Sequence, residues 1–212
     1  VTGGTFTSTN YVMFAGTGAE TITSNGTAFS GVIINDGLVG YWKFDEGAGV
    51  VAKDTSQYGN HGTMNDATQS GTGWITTTST GITFYNPYAL DFSGNSDQRV
   101  DMGDVLNING SKTISLWVKS ADLYSGSMTH ASFVSKWNSA GYIFWAFGGD
   151  IRWGDADSSE LLWSGGEATV EDNEWHHLVA VRDSSDGAIY FDGVEKASES
   201  GTFSDSTATA SF

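Results

Sequence analysis

The sequence has no cysteine and a single proline in 212 residues. Without cysteine, neither a disulfide framework nor a thiolate metal site can form. Basic residues are scarce as well: nine Lys and Arg stand against 25 Asp and Glu, a formal net charge of −16. Such a field repels duplexes and anionic membranes, which argues against nucleic acid as a partner. A self-repelling secreted surface explains most of this charge, although acidic loops also attract divalent cations. No apolar run approaches the roughly 20 residues of a membrane helix, so membrane insertion is not expected. Val1 opens directly on a polar, β-like stretch without a signal-peptide pattern, as a processed or excerpted chain would.

Glycine and aromatic residues are plentiful. Twenty-eight glycines, with abundant Ser and Thr, suit turn-rich strands and not a helical bundle. An aromatic content of 13% supplies a substantial core and argues against disorder. The length fits one large β domain, or one domain with a short appendage.

Residues 1–37 have their own texture. Thr5-Phe6-Thr7, Tyr11–Phe14, Thr21-Ile22-Thr23 and Val32-Ile33-Ile34 are short strand candidates between Gly-, Asn- and Thr-rich turns. Asn35-Asp36-Gly37 is a turn signal and marks a boundary. Residues 38–212 form the expected main domain. Strands are expected at about 38–44, 82–84, 88–92 and 98–102, and the long segment from Thr63 to Gly81 should be partly structured around Trp74 and Ile75. Over 112–119 the alternation puts Ile114, Leu116 and Val118 on one face and Trp117 on the other. Ser132–Trp137 and Tyr142–Phe147 read as a hairpin with aromatics on both faces. Further strands follow at 151–153, 161–163 and 175–182, and Asp192-Gly193 suits a type I′ turn. The fold class expected is all-β, an antiparallel two-sheet sandwich behind a β-rich N-terminal segment.

Five ordered stretches carry a family resemblance: Tyr41–Gly49 running into Asp54–Gly62, then Ala89–Gly94, Lys112–Lys119, Glu174–Val181, and Ile189–Val194. From about Gly37 onward the chain resembles a laminin-G-like jelly-roll domain of the concanavalin A-like lectin/glucanase superfamily. On composition alone, the Asp54–Gly62 loop either folds its oxygens onto a hard cation or turns back through Asx-type hydrogen bonds. The resemblance implies Ca²⁺, held by the Asp54 carboxylate, the Gln57 backbone carbonyl and the Asn60 side chain. It also implies a last strand with an Ile-Asp-Glu-Val-like motif, which is not found before Phe212. Either the polypeptide continues, or another segment fills that edge.

Glucanases of this superfamily carry a Glu-x-Asp-x-x-Glu set on one strand. None occurs here, and no enzyme is expected. The acidic run Glu171–Glu174 reads as a solvated turn. His176 and His177 diverge on a strand, and the family pattern carries such a pair as structure. Binding is the better expectation. Trp137, Tyr142, Trp145, Trp153 and Trp163 are the candidates to line a concave face that stacks against sugars, with core packing as their alternative. One reading is a non-catalytic, extracellular carbohydrate- or glycoprotein-binding adhesion module stabilised by calcium, on a cell or virion surface. The other is a structural subunit of a filament or virion decoration, in which a strand from Gly31 to Asp36 pairs with a neighbouring copy.

Overall fold

The computed structural model describes residues 12–14, 32–34, 37–65, 73–77, 86–92, 98–108, 110–123, 130–136, 141–155, 160–183 and 186–200. In chain order the first strands are β1 (Val12–Phe14), β2 (Val32–Ile34), β3 (Val51–Ala52), β4 (Gly62–Asn65), β5 (Gly73–Thr76), β6 (Tyr88–Asp91) and β7 (Arg99–Asp101). They are followed by β8 (Lys112–Val118), β9 (His130–Ser135), β10 (Tyr142–Phe147), β11 (Asp150–Asp155) and β12 (Glu160–Trp163). A short helix α1 (Gly166–Val170) precedes β13 (His176–Arg182), β14 (Asp186–Phe191) and β15 (Val194–Ser200). Among the described residues, no helix is long and apolar enough to cross a membrane.

Two four-stranded antiparallel sheets make the sandwich, in the orders β12-β11-β10-β9 and β15-β14-β13-β8. Alternation explains why they face each other. Tyr142, Phe144 and Ala146 of β10, with Ile151 and Trp153 of β11, turn one way. They meet Leu178 and Ala180 of β13 and Ile189 and Phe191 of β14, backed by Ile114, Leu116 and Val118. Phe144 and Trp153 meet nearly edge to face, their centroids 6.1 Å apart, an arrangement that aromatic quadrupoles favour. The expected strand faces at 112–119 are therefore realised.

One irregularity sets the phase of β9. Pairing with β10 runs Ile143–Ser135 and Phe144–Val134, then jumps to Trp145–Ser132, Ala146–Ala131 and Phe147–His130. Phe133 is the extra residue of a β-bulge. Both Phe133 and Val134 consequently pack on the core, Phe133 against Phe144 at 5.5 Å between centroids. Beyond the bulge, Ser132 and His130 fall on the outer face.

Smaller sheets flank this core: β3-β4-β7, and the antiparallel pair β5-β6 that orders Trp74 and Ile75. The expected strand over 38–44 is reduced to one bridge, Trp42 to Asp54. Phe44 has φ of 54°, which breaks the extended run, and the Trp42 indole donates to the Asn60 carbonyl at 2.9 Å. At the N-terminal end β2 pairs in parallel with β1. The expected strand at 82–84 lies outside the described residues. Asp192 and Gly193 have φ of 49° and 78°, as the type I′ turn requires.

Phe144 is fully buried at the centre of the aromatic cluster. Phe144→Ala should lower unfolding free energy by about 3–5 kcal/mol. Val194→Ala, at a position 56% exposed, should leave it within about 0.5 kcal/mol. Urea titrations of the two variants beside the parent check both values.

Candidate functional site

The outer face of β9–β10 carries an open groove of about 450 Å³ lined by His130, Ser132, Ser135, Ile143, Trp145 and Phe147. Strand periodicity and the bulge together place these side chains. Ile143, Trp145 and Phe147 alternate with the core residues of β10, and their cross-strand partners on β9 are Ser135, Ser132 and His130. Trp145 is 9% exposed and forms the floor, whereas Phe147, at 40%, stands up at one end. On the other side of Trp145 its partner is Arg152 of β11. The Arg152 guanidinium lies over the Phe147 ring at 4.8 Å and bonds Asp150 Oδ2 at 3.1 Å.

That end of the groove is braced from behind. Gly148 and Gly149 form the β10–β11 turn with φ of 63° and 94°, values that favour glycine. The Gly149 amide donates to Glu167 Oε2 at 2.6 Å, and the Glu167 amide donates back to the Gly149 carbonyl at 3.3 Å. The Gly165 amide donates to Asp150 Oδ1 at 3.3 Å. Gly149 and Asp150, the second half of the turn, are thus held by the segment that opens α1.

Of the five aromatic residues expected to line a ligand face, only Trp145 reaches this groove among those described. Tyr142 and Trp153 turn inward, at 4% and 2% exposure. The Tyr142 hydroxyl donates to the Leu106 carbonyl at 3.1 Å, and burial pushes its pKa up to about 12. Trp163 is half-buried at the sandwich edge, 5.2 Å from the Phe191 ring. Trp137 lies outside the described residues. The cause is plain: residues 142, 144, 151 and 153 share the core phase, and 145 and 147 take the other. Phe147, Ser132 and His130 were not singled out from the sequence. The alternation of β10 implies Phe147, but only the bulge brings out Ser132 and His130.

The Asp54 loop closes on itself. Asp54 Oδ1 accepts from the Tyr41 and Ser56 amides, both at 2.8 Å. Oδ2 accepts from the Ser56 hydroxyl at 2.7 Å and the Asn60 amide at 2.8 Å. Burial opposes the charge of Asp54, yet these donors outweigh it and hold the carboxyl below its ordinary value. Asn60 Nδ2 donates to the Val39 carbonyl at 3.2 Å. Four donors take the acceptor sites of the Asp54 carboxylate, so the loop as arranged does not fit a cation through Asp54. No cluster of three or more His, Asp or Glu side chains able to hold a metal occurs among the described residues.

The two neighbouring histidines diverge. His177 stacks on Trp117 at 5.1 Å between centroids and meets Ser115 Oγ at 2.7 Å. His176 lies against the Phe191 ring, with Nδ1 2.8 Å from Asp192 Oδ2 and Nε2 2.9 Å from Asp172 Oδ1. Desolvation works against the imidazolium, but the two carboxylates outweigh it and raise the His176 pKa. The pKa of Asp172 is lowered chiefly by His176. For Asp192, desolvation is outweighed by the His177 amide and His176, so its pKa is lowered too. Within the acidic run, Asp172 thus pins the turn to β13, and Glu171 Oε1 accepts from the Leu123 amide at 2.7 Å.

Because folding raises the His176 pKa, its stabilisation is complete below the ordinary value of 6.5 and is lost as pH climbs through the folded value. The lowered pKa values of Asp172 and Asp192 make theirs complete above 3.8 and lost as pH falls through the folded values. The melting-temperature gap between the parent and His176→Gln should therefore be widest between these limits and narrow on both sides. Asp54→Ala leaves part-buried amides without their acceptor and should cost about 1–3 kcal/mol. Millimolar calcium should leave the parent's melting temperature unchanged. A rise with calcium that Asp54→Ala removes would instead place a cation in the loop.

A laminin-G-like family model, of the concanavalin A-like lectin/glucanases superfamily, matches residues 92–212. The match begins at Phe92, not near Gly37, so the Asp54 loop lies outside it. No curated protein matches the chain. Among solved structures, the binding domain of Paraclostridial Mosquitocidal Protein 1 is similar, at 14% identity and a TM-score of 0.49 over 76% of this chain. The chain spans 39% of the length of that one. With more than half of its residues matched by the family model, and with the two-sheet sandwich in place, the chain belongs to the concanavalin A-like lectin/glucanase superfamily as a laminin-G-like domain.

Proposed function

We propose that this domain is a non-catalytic carbohydrate-binding module, working in adhesion outside the cell, whose ligand lies in the β9–β10 groove. The observation that carries the reading is the make-up of that groove: an indole floor, a raised phenyl ring, and hydroxyl and imidazole groups beside them. Aromatic rings accept the apolar faces of pyranoses, and a few placed polar groups then fix orientation. Glycoside hydrolysis needs two facing carboxyl groups, and the described groove lining contains none. Membership of a superfamily that includes lectins supports the same reading.

Immobilised glycans probed with the intact chain test it. A defined subset of sugars should bind, and Phe147→Ala, at an exposed position, should weaken binding at least tenfold, about 1.4 kcal/mol, without lowering the melting temperature. Chromogenic glycosides incubated with the chain should release nothing above the buffer blank. Failure of every glycan to bind, or equal binding by Phe147→Ala, would overturn the proposal.

A further inference from the structure

His176 stands where the β14–β15 hairpin tip meets the turn between α1 and β13, and both of its ring nitrogens face carboxylates. Nδ1 lies 2.8 Å from Asp192 Oδ2 at the hairpin tip, and Nε2 lies 2.9 Å from Asp172 Oδ1 in the turn. An ionised carboxylate accepts and cannot donate, so both contacts are hydrogen bonds only when both nitrogens carry protons, as in the imidazolium. A neutral imidazole has one N–H and turns a lone pair toward the other carboxylate. The Phe191 ring covers His176 at 4.5 Å between centroids, and Val118 of β8 is its cross-strand partner. Lys196 of β15 lies over the same Phe191 ring at 5.7 Å, while the His177 ring turns to the other face, onto Trp117.

The two carboxylates are not held alike. Asp192 is clamped to β13 apart from the His176 ring: Oδ1 accepts from the His177 amide at 2.9 Å, and the Asp192 amide donates to the His177 carbonyl at 2.9 Å. Asp172 Oδ1 takes its other bond from the Glu174 amide at 2.9 Å, within its own turn. That turn also grips the 120–123 segment. Glu171 Oε1 accepts from the Leu123 amide at 2.7 Å, and the Asn173 amide donates to the Ser120 carbonyl at 2.8 Å. We propose that His176 is a proton-operated latch: as a cation it ties the 171–174 turn to the hairpin tip, and on giving its Nε2 proton to solvent it keeps Asp192 and releases Asp172. The turn moves and the hairpin stays, because Asp192 alone has a second hold on β13. Desolvation opposes the cation, but the two carboxylates outweigh it. The latch is therefore closed below the ordinary value of 6.5 and opens as pH climbs through the raised, folded value. Such an opening is local and leaves the sandwich folded.

An NMR pH titration of the intact chain tests the latch. Ring nitrogen shifts read the ionisation midpoint of His176 and the tautomer of its neutral form. Amide exchange at each pH, corrected for the intrinsic base dependence of exchange, gives protection factors. Above the midpoint the neutral ring should be the Nδ1–H tautomer. Protection of the Leu123 and Asn173 amides should fall tenfold or more across the midpoint, while that of Ala180, paired on both sides in β13, holds. Asp172→Asn should abolish the loss, since its side-chain amide donates to the bare Nε2 and its oxygen still accepts from the Glu174 amide. If Asp172→Asn fails to fold, the tautomer and the protection profile of the parent still decide. An Nε2–H tautomer, protection that stays level through the midpoint, a loss shared equally by Ala180, or a loss that persists in Asp172→Asn overturns the proposal.

Discussion

Two consecutive residues of a regular strand cannot both face the core, and this domain depends on the place where that rule is relaxed. Phe133 and Val134 both pack inward because β9 carries one residue more than β10 at that point. The bulge gains core packing and re-phases everything before it. Ser132 and His130 are outward because Phe133 is inward. The polar side of the groove is therefore a by-product of filling the core, and the two cannot be altered independently.

Charge is distributed on a similar principle. Basic residues are few, and several are built into the frame. Lys136 is buried and bonds Asp104 at 3.0 Å, which fastens the 102–108 loop to the end of β9. Lys112 lies 5.5 Å from the centroid of the Tyr142 ring. Arg182 is buried at the end of β13. Arg152 stands out because it lies on the groove face, over an aromatic ring that solvent reaches.

Much of the sandwich was legible in the sequence, because period-two alternation at Lys112–Val118, Tyr142–Phe147 and His176–Arg182 is a direct imprint of two-sided burial. Trp42 and Phe44 imitate that pattern without forming a strand. Their spacing is right, but the positive φ of Phe44 and the Trp42–Asn60 hydrogen bond serve a loop. Helix α1 was missed, since five residues are too few to show a helical period. Aromatic identity alone picked Tyr142, Trp153 and Trp163 alongside Trp145, and phase alone separates them. The bulge had no sequence signal: Ser-Phe-Val-Ser reads as well without an extra residue as with one.

The reciprocal bonds between Glu167 and Gly149 bear on the timing of recognition. The turn that presents Phe147 is fixed by the helix of the β12–β13 connection, so its conformational freedom is lost when the domain folds and not when a ligand arrives. A groove held in this way meets its ligand without rearranging at that end. Encounter can then proceed at a rate set by diffusion and orientation, and differences among ligands are expressed in how long each one stays.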